Sequence, residues 1–484
     1  MTSLRQCLLS AIPGVVVAIA LLASQLVADP AAGVTFSGSP YSDEAWSVMG
    51  GRNQAVLGTW GVDDLRMYPV QLPFQVVLAG VFELFGAGIL QARGLAVLLS
   101  VGTVVLTSVS AARHFGPVAG VVSGIALAAA SLFVYYGRLA YLEPMATFWL
   151  TAGFAILLAV PSQRHVVLGV IGGTCLALAI GTKPSAAAAA IGLIAGGGAA
   201  AWNRGRPIDV RLAWALGAIA LAGIAWAALV WLPQRDAIEV ALRWWPTTPG
   251  SAWWDWIVYA RRYLRASDGA ITLTLPLIAA AAAGAWLAAR RWHTLSAAQR
   301  TAIGASIGWV FLGMLLIVVT AYRPNRYVVP LLPGLAMLAG VAASILWKRL
   351  SARRTGRTIV MVALIGLVSA PGLVMWARWM DAATHRLPLI QAEVAALVGS
   401  SAAVEGGLAP AFAMRAPVPT LVVRPELGIN AGDLYVSHGV RWLVANESYR
   451  PKWADAHPDE WAARRIIRCY PWGPGPETCL IRIP

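Results

Sequence analysis

The sequence predicts an α-helical polytopic membrane protein with a small C-terminal α/β domain, and two observations carry this prediction. Of the 484 residues, 58% are hydrophobic and only 12% are charged, which is more apolar and less charged than a soluble domain. Apolar runs of about 20 residues, the length of a helix that spans the bilayer, recur as far as residue 378. Because these runs are continuous rather than alternating, they favour helices over a β-barrel.

The length of each apolar run predicts about eleven spans. They are residues 9–28, 93–112, 117–136, 144–160, 166–182, 185–201, 212–232, 270–289, 301–321, 327–347 and 358–377. The first could instead be a signal peptide, with Arg5 as its basic region and "VADPAAG" as a loose cleavage site. Its long apolar part and the spans that follow favour an uncleaved helix.

Basic residues predict the orientation of these spans. With the N-terminus inside, the short loops at Arg113, Arg164, 203–211, 290–300 and 348–357 all lie on the cytoplasmic side, as the positive-inside rule prefers. An odd number of spans then sends the C-terminal domain outside. We therefore expect a multi-pass protein of the cytoplasmic (inner) membrane with an extracytoplasmic, periplasmic tail.

The formal net charge of +15 would suggest a nucleic-acid partner in a soluble protein. Much of this charge is Arg in short loops between spans, where membrane topology explains it. No nucleic-acid partner is therefore expected.

Two predicted outer loops are long. Residues 29–92 contain apolar helical patterns broken by polar residues and Pro, which predict interfacial helices. The second of these patterns, residues 68–88, could instead span the membrane, which would invert everything downstream. Residues 233–269 are rich in Trp, Tyr and Arg, a composition typical of the headgroup level; a role in stacking on sugars is the alternative to a simple aromatic belt.

The composition changes after residue 378, and residues 379–484 are predicted to form the small α/β domain. The apolar runs "SAAVEGGL", "TLVVR" and "VRWLVAN" are short and separated by turns and an amphipathic stretch. Cys469 and Cys479 flank a Pro/Gly-rich turn that could bring them into bridging distance, and a disulfide there implies an oxidising outer compartment. The domain could select an acceptor or simply pack against the membrane domain.

On this topology, polar side chains from separate segments gather at the outer end of the membrane domain. An ionisable residue at the edge of a membrane segment is costly and marks a candidate site. Carboxylates can accept a proton or hold a divalent cation, whereas Arg and Lys bind phosphate. The combination favours a lipid-phosphate substrate. The candidates are Asp43, Glu44, Arg52, Arg66, Tyr68, Arg138, Glu143, Lys183, Arg323, Arg326 and Tyr327.

The order of these motifs resembles the GT-C class of membrane glycosyltransferases, in particular the protein O-mannosyltransferases and lipid A aminoarabinose transferases. "SDEAW" is similar to their Asp-Glu pair in the first external loop, and residues 68–88 resemble their Pro-containing interfacial helix, which an Arg follows, here Arg93. "AYLEPMATFWLTAGF", "GTKPS" and "NRYVVPLLPGLAMLAG" resemble three later motifs. The resemblance covers most of residues 1–345.

This resemblance implies transfer of a sugar from a polyprenyl-phosphate carrier to an acceptor hydroxyl on the outer membrane face, with inversion at the anomeric carbon. Asp43 would be the general base and Glu44 would orient it. Glu143, where many relatives have Asp, would hydrogen-bond the acceptor or join Asp43 at a divalent metal ion such as Mg²⁺ or Mn²⁺. The partners would be the lipid-linked donor, membrane lipid and a protein, lipid or polysaccharide acceptor.

The resemblance also implies a set of donor-phosphate ligands. Tyr68 departs from the aminoarabinose transferases, which have Lys just before the Pro of the interfacial helix, so a different substrate is expected. The implied ligands are Lys183 and Arg326, with Arg66, Arg138, Tyr68, Arg323 and Tyr327.

Two other functions compete with this one. A transporter or flippase of lipid-linked sugars should expose polar groups near the bilayer midplane, yet "AAAAAIGLIAGGGAAA" at residues 186–201 has none. A catalytically inactive GT-C-like binding protein is the other alternative. The presence of Asp43, Glu143 and Lys183 together argues against it.

Overall fold

The computed structural model describes residues 3–30, 40–158, 164–202, 210–243, 270–319, 324–350, 354–400, 402–423, 429–472 and 477–484. In these ranges, helices dominate as far as Asp381 and a five-stranded sheet follows.

The helices are numbered in chain order. They are α1 (Leu4–Ala23), α2 (Pro40–Leu57), α3 (Leu72–Phe85), α4 (Ile89–Phe115), α5 (Pro117–Ala128), α6 (Ser131–Tyr136), α7 (Leu142–Leu157), α8 (His165–Thr182), α9 (Ala186–Trp202), α10 (Val210–Trp226), α11 (Arg235–Arg243), α12 (Ala270–Arg290), α13 (Ala297–Val319), α14 (Leu332–Arg349), α15 (Arg354–Asp381), α16 (Leu387–Val398), α17 (Ala409–Phe412), α18 (Leu434–Ser437) and α19 (Pro458–Ala462).

The strands and the tight helical turns complete the secondary structure. The strands are β1 (Ala403–Glu405), β2 (Thr420–Leu421), β3 (Val440–Ala445), β4 (Arg465–Tyr470) and β5 (Thr478–Arg482). Turns of 3-10 helix include Tyr68–Gln71 before α3 and Asn325–Leu331 before α14, and a π-helical turn, Ala227–Trp231, continues α10.

Within the described ranges, eight helical segments are long and apolar enough to cross a membrane. They are α1, Tyr68–Phe85, α4, α8, Val210–Trp231, α13, Asn325–Arg349 and Gly356–Asp381. Further apolar helices, among them α5, α7 and α9, are shorter. The predicted helical membrane fold is thus confirmed, whereas the number of eleven spans stays a prediction. Tyr68–Phe85 was predicted to be interfacial, and its length and composition also suit a span.

Local sequence signals explain several helix ends. Ser3 caps α1, because its hydroxyl accepts the Gln6 amide while the Gln6 side chain accepts the Ser3 amide. α4 ends at Gly116, whose φ of 97° favours glycine, and Pro117 begins α5 at once. These signals orient α1, α4 and α5, which pack on one another.

The segment Asn325–Arg349 lies at the centre of the helical bundle, and its most apolar stretch of 18 residues is entirely buried. α14 packs against α5 and α12, and also against α4 and α13. A helix enclosed on all sides is a rigid support. Residues Asn325–Leu331, which immediately precede α14, are therefore held firmly.

The C-terminal domain, which we call the outer domain after its predicted location, is built on a sheet with the strand order β2-β1-β3-β5-β4. β2, β1 and β3 are parallel, whereas β5 is antiparallel to both β3 and β4. Trp442 and Val444 face α16, and Leu443 faces the opposite core with Trp453, as the two-residue period of a strand requires. Cys469 and Cys479 lie opposite each other on β4 and β5 and form a disulfide.

One hydrophobic core joins the outer domain to the membrane helices. Ala45 and Val48 of α2 share a buried cluster with Phe74 and Leu78 of α3 and with Phe412 of α17. The domain boundary predicted at residues 378/379 stays a prediction, and α15 continues to Asp381.

Candidate functional site

Four charged side chains from four segments meet at one end of the bundle. Asp43 lies in the first turn of α2, Glu143 in the first turn of α7, Lys183 at the end of α8 and Arg326 in the 3-10 turn before α14. Arg326 Nη1 lies 2.9 Å from Asp43 Oδ2, and Arg326 Nε lies 3.4 Å from Glu143 Oε1. The Lys183 ammonium pairs with the same Glu143 oxygen. We call these four residues the charged cluster.

The two carboxylates of the charged cluster differ in their exposure to solvent. The Asp43 side chain is 16% exposed, whereas that of Glu143 is 1% exposed. An incoming hydroxyl can therefore approach Asp43 more readily than Glu143.

Aromatic rings flank both cations. The Lys183 ammonium lies 4.0 Å from the centroid of the Tyr327 ring, and the Arg326 guanidinium lies 5.2 Å from that of Tyr141. Cation–π contacts of this kind are worth about 0.5–2 kcal/mol, the larger values for desolvated pairs. The rings hold the cations in place without neutralising them, and the cations can therefore still attract an anionic ligand.

Glu44, the neighbour of Asp43, is buried in a structural role. Its two oxygens lie 2.7 and 2.8 Å from Arg93 Nε and Nη2 of α4, and Oε1 also accepts the Ala140 amide at 2.8 Å. Arg93 in turn donates to the carbonyl of Ala28 at 2.8 Å. Glu44 thus ties α2 to α4 and to the segment that leads into α7, and its role in orienting Asp43 stays a prediction.

Arg138 lies away from the charged cluster. It is fully buried, donates through Nη1 to the carbonyls of Gln25 and Ala28, and places its guanidinium 3.3 Å from the ring centroid of Trp379. These contacts join α15 to the end of α1. The geometry therefore gives Arg138 a structural function and lends no support to its predicted role as a phosphate ligand.

The other predicted phosphate ligands differ in position. Arg66 is exposed and donates to the carbonyl of Asp63 in its own loop, outside the charged cluster. Tyr68 stacks on Trp60 and hydrogen-bonds Gln234. Tyr327 belongs to the site through Lys183, and Arg323 lies outside the described residues.

Gln75 of α3 is a site residue that the sequence interpretation missed. Its Nε2 donates to the Ser47 carbonyl and its Oε1 accepts the Gly51 amide, both at 2.7 Å. In a regular α-helix the Gly51 amide donates to the Ser47 carbonyl, so Gln75 contacts both members of one helical pair. A Cβ on Gly51 would lie 2.9 Å from the Gln75 carbonyl oxygen, so this close approach requires glycine. A buried Gln in an apolar helix, opposite a Gly-Gly pair, was the available signal.

An apolar cavity begins beside the charged cluster. Its volume is about 560 Å³, and it lies between α8, α10 and the segment that leads into α3. Thr174 and the indole N–H groups of Trp226 and Trp231 are the polar side-chain groups of its lining residues. The lining includes Leu72, Leu178, Gly181, Pro184, Trp226 and Trp231. Since Pro184 directly follows Lys183, one end of the cavity adjoins the cationic side of the charged cluster.

The predicted metal pair does not fit a divalent cation. Asp43 and Glu143 both contact Arg326, so the guanidinium lies between the two carboxylates, and Glu143 also contacts Lys183. Within the ranges that the structure describes, no three His, Cys, Asp or Glu side chains form a group that could hold a metal. Arg326 thus occupies the position that a cation shared by the two carboxylates would need.

Comparison with known sequences gives one family match. The family model for dolichyl-phosphate-mannose-protein mannosyltransferase matches residues 72–231, which is less than half of the chain. No curated protein matches the sequence.

Comparison with solved structures gives matches over nearly the whole chain. Two structures of ArnT from Cupriavidus metallidurans, bound to undecaprenyl phosphate and in the apo state, have TM-scores of 0.62 and 0.65. Each is 15% identical, and each match covers 98% of this chain and 97% of that one. The Archaeoglobus fulgidus oligosaccharyltransferase, in complex with Zn and sulfate, has a TM-score of 0.53 at 10% identity. This match covers 90% of this chain and 68% of that one. The family match is thus confined to residues 72–231, and the structural matches show that the chain shares the fold of ArnT and of the archaeal oligosaccharyltransferase.

Proposed function

We propose that the protein transfers a sugar from a polyprenyl-phosphate carrier to an acceptor hydroxyl, with inversion at the anomeric carbon and with Asp43 as general base. The observation that carries this proposal is the charged cluster, in which a partly exposed carboxylate lies beside two buried or half-buried cations. The structural relative that was solved with undecaprenyl phosphate adds support for the carrier.

The proposed reaction is a single displacement. The acceptor oxygen bonds to the anomeric carbon from the side opposite the phosphate while the bond from that carbon to the phosphate oxygen breaks. The acceptor proton passes to Asp43, and the electron pair of the broken bond stays on the polyprenyl phosphate. Lys183 and Arg326 stabilise the charge that develops on this leaving group, which is the role of preorganised cations in a site sheltered from water.

Asp43 must be relieved of its ion pair before it can accept a proton. Arg326 contacts Asp43 and Glu143 together, so a donor phosphate that enters the charged cluster competes with both carboxylates for the guanidinium. Glu143 keeps Lys183 as its partner in that exchange. Donor binding thus frees the base.

The apolar cavity is the proposed binding place of the first isoprene units of the carrier. It adjoins Lys183 through Pro184, and its walls are formed by apolar side chains of α8 and α10. A cavity of about 560 Å³ falls within the usual range for small-molecule sites and holds only part of a long polyprenyl chain.

We place the reaction at the outer membrane face because the basic short loops favour the cytoplasmic side for the opposite ends of the helices. The charged cluster lies beside the domain that contains the disulfide, a bond that persists in oxidising compartments. An extracytoplasmic domain and an outer-face site are consistent with each other.

One experiment tests both the activity and its side. Sealed membrane vesicles, right-side-out and inside-out, receive a short-chain polyprenyl-phosphate sugar from the medium, and released polyprenyl phosphate is measured by mass spectrometry. We expect release in right-side-out vesicles and little in inside-out vesicles, because the charged phosphate does not cross the bilayer. No release from any such donor in either preparation would refute the activity, and release confined to inside-out vesicles would refute the outer-face site.

A further inference from the structure

The helix that contains Asp43 has two functional faces. Asp43, Ser47 and Gly51 follow each other at spacings of four residues, and the last two bind Gln75 of α3. Arg52 is nine positions after Asp43, which puts it roughly 180° around the helix and about 13 Å along it. Arg52 therefore faces the outer domain and does not reach the reacting atoms.

Arg52 is buried in a set of main-chain carbonyls of the outer domain. Its Nε donates to Met414 at 3.2 Å, and its Nη2 donates to Ala413 at 3.2 Å and to Ala416. These carbonyls follow the short helix α17, whose final carbonyls lack helical partners. The guanidinium thus ties the segment directly after α17 to the second half of α2.

A second contact joins the same two elements nearer to Asp43. The indole Nε1 of Trp46 donates to the carbonyl of Gly407 at 3.0 Å. Between Trp46 and Arg52, Val48 enters the core that α2 shares with α17. The outer domain therefore contacts α2 from three positions after Asp43 onward.

Burial of Arg52 is costly, and the proposed reaction does not use its charge. The residue is 2% exposed, and burial lowers the pKa of its guanidinium to about 10. Within the described ranges, its guanidinium donates to carbonyl oxygens, including Asn53 Oδ1 at 3.0 Å, rather than to carboxylates. Burying a charge without an ionic partner costs free energy, so we expect that the buried guanidinium performs a role in the protein.

We infer that the outer domain is a positioning element of the transfer reaction and that Arg52 is the positioning residue through which it fixes the angle of α2, and hence the place of Asp43. This inference rests on the proposed function of Asp43. Gln75 holds the opposite face of the helix, so α2 is clamped from both sides. A displacement of only about 1 Å between reacting groups can cost on the order of 100-fold in rate.

The test compares Arg52→Met with Arg52→Lys and with the matched control Arg465→Met, an exposed arginine of strand β4. We expect Arg52→Met to lower kcat about 10- to 100-fold, with the donor KM changed less than about 3-fold, because the phosphate ligands are intact. Arg52→Lys keeps a donor to the carbonyls and should recover most of the activity. Arg465→Met should match wild type.

Amide hydrogen exchange in α2 is measured on the same proteins, so that positioning has a readout independent of turnover. Faster exchange at residues 43–50 in Arg52→Met, with the remaining helices protected as in wild type, supports the inference. If Arg52→Met does not fold, Trp46→Phe removes the bond to Gly407 and should lower kcat about 3- to 10-fold. Unchanged kcat and unchanged exchange in the folded variants would overturn the positioning role. Wild-type protein that releases no polyprenyl phosphate would overturn the proposed function instead.

Discussion

Asp43→Asn is expected to lower kcat by about 10³- to 10⁴-fold, because general-base catalysis contributes on this order and an amide accepts no proton at neutral pH. The substitution preserves side-chain size, and the Asn carbonyl can still accept a hydrogen bond from Arg326. The donor KM should therefore stay close to the wild-type value. Initial rates of donor turnover at several donor concentrations, measured on the purified variant, separate the two parameters.

The matched control for this variant is Asp455→Asn, which makes the same chemical change on an exposed side chain of the outer domain. Its kcat should equal that of the wild type. If Asp43→Asn retained more than a tenth of the wild-type kcat, Asp43 would not be the base. The charged cluster would then be a binding site, with proton removal performed elsewhere.

Arg93→Met is expected to reduce the free energy of unfolding by about 3–5 kcal/mol, the usual cost of breaking a buried ion pair from one side. The substitution leaves the Glu44 carboxylate buried with the Ala140 amide as its remaining bond among those described above. It also removes the donors to Leu26 and Ala28 that tie α1 to α4. Unfolding by denaturant in detergent micelles measures the effect.

The double variant Glu44→Gln, Arg93→Met is the control for this second prediction. It removes the uncompensated charge, so it should be more stable than Arg93→Met alone, and the two substitutions should be strongly non-additive. A loss below about 1 kcal/mol for Arg93→Met, or simple additivity in the double variant, would contradict the structural role of the pair.

The charged cluster was largely predictable because its members are polar residues next to apolar runs. Asp43, Glu143, Lys183 and Arg326 each belong to a short motif, and the predicted topology brought these motifs to one face. The role of Arg138 as a phosphate ligand stays a prediction, since a guanidinium near a span end looks identical in sequence whether it faces a ligand or a carbonyl. Its partner Trp379 is more than 200 positions away.

The number of spans was less predictable than their presence. The apolar run 117–136 reads as one helix, and residues 125–135 contain no Gly or Pro, yet α5 ends at Ala128 and α6 begins at Ser131. In a bundle whose interior is apolar throughout, tertiary packing decides where a helix breaks. The hydropathy of the sequence does not predict such a break.

The contacts that orient α2 could not be read from the sequence. Gln75 acts on the backbone of Ser47 and Gly51, and backbone groups have no residue signature. Arg52 binds carbonyls more than 360 positions away, in a domain whose strand order the sequence did not predict. The existence of short strands in residues 403–445 was visible from the turn-separated apolar runs, whereas their docking on α2 was not.

The central claim, direct displacement on a polyprenyl-phosphate sugar with Asp43 as base, is tested most directly by the anomeric configuration of the first product. The purified wild-type protein is given a donor of known configuration, and the newly formed linkage is examined by proton NMR before it can equilibrate. The account predicts a product whose configuration is opposite to that of the donor. A product with the donor's configuration would contradict it, because retention requires a covalent intermediate or an attack from the phosphate side.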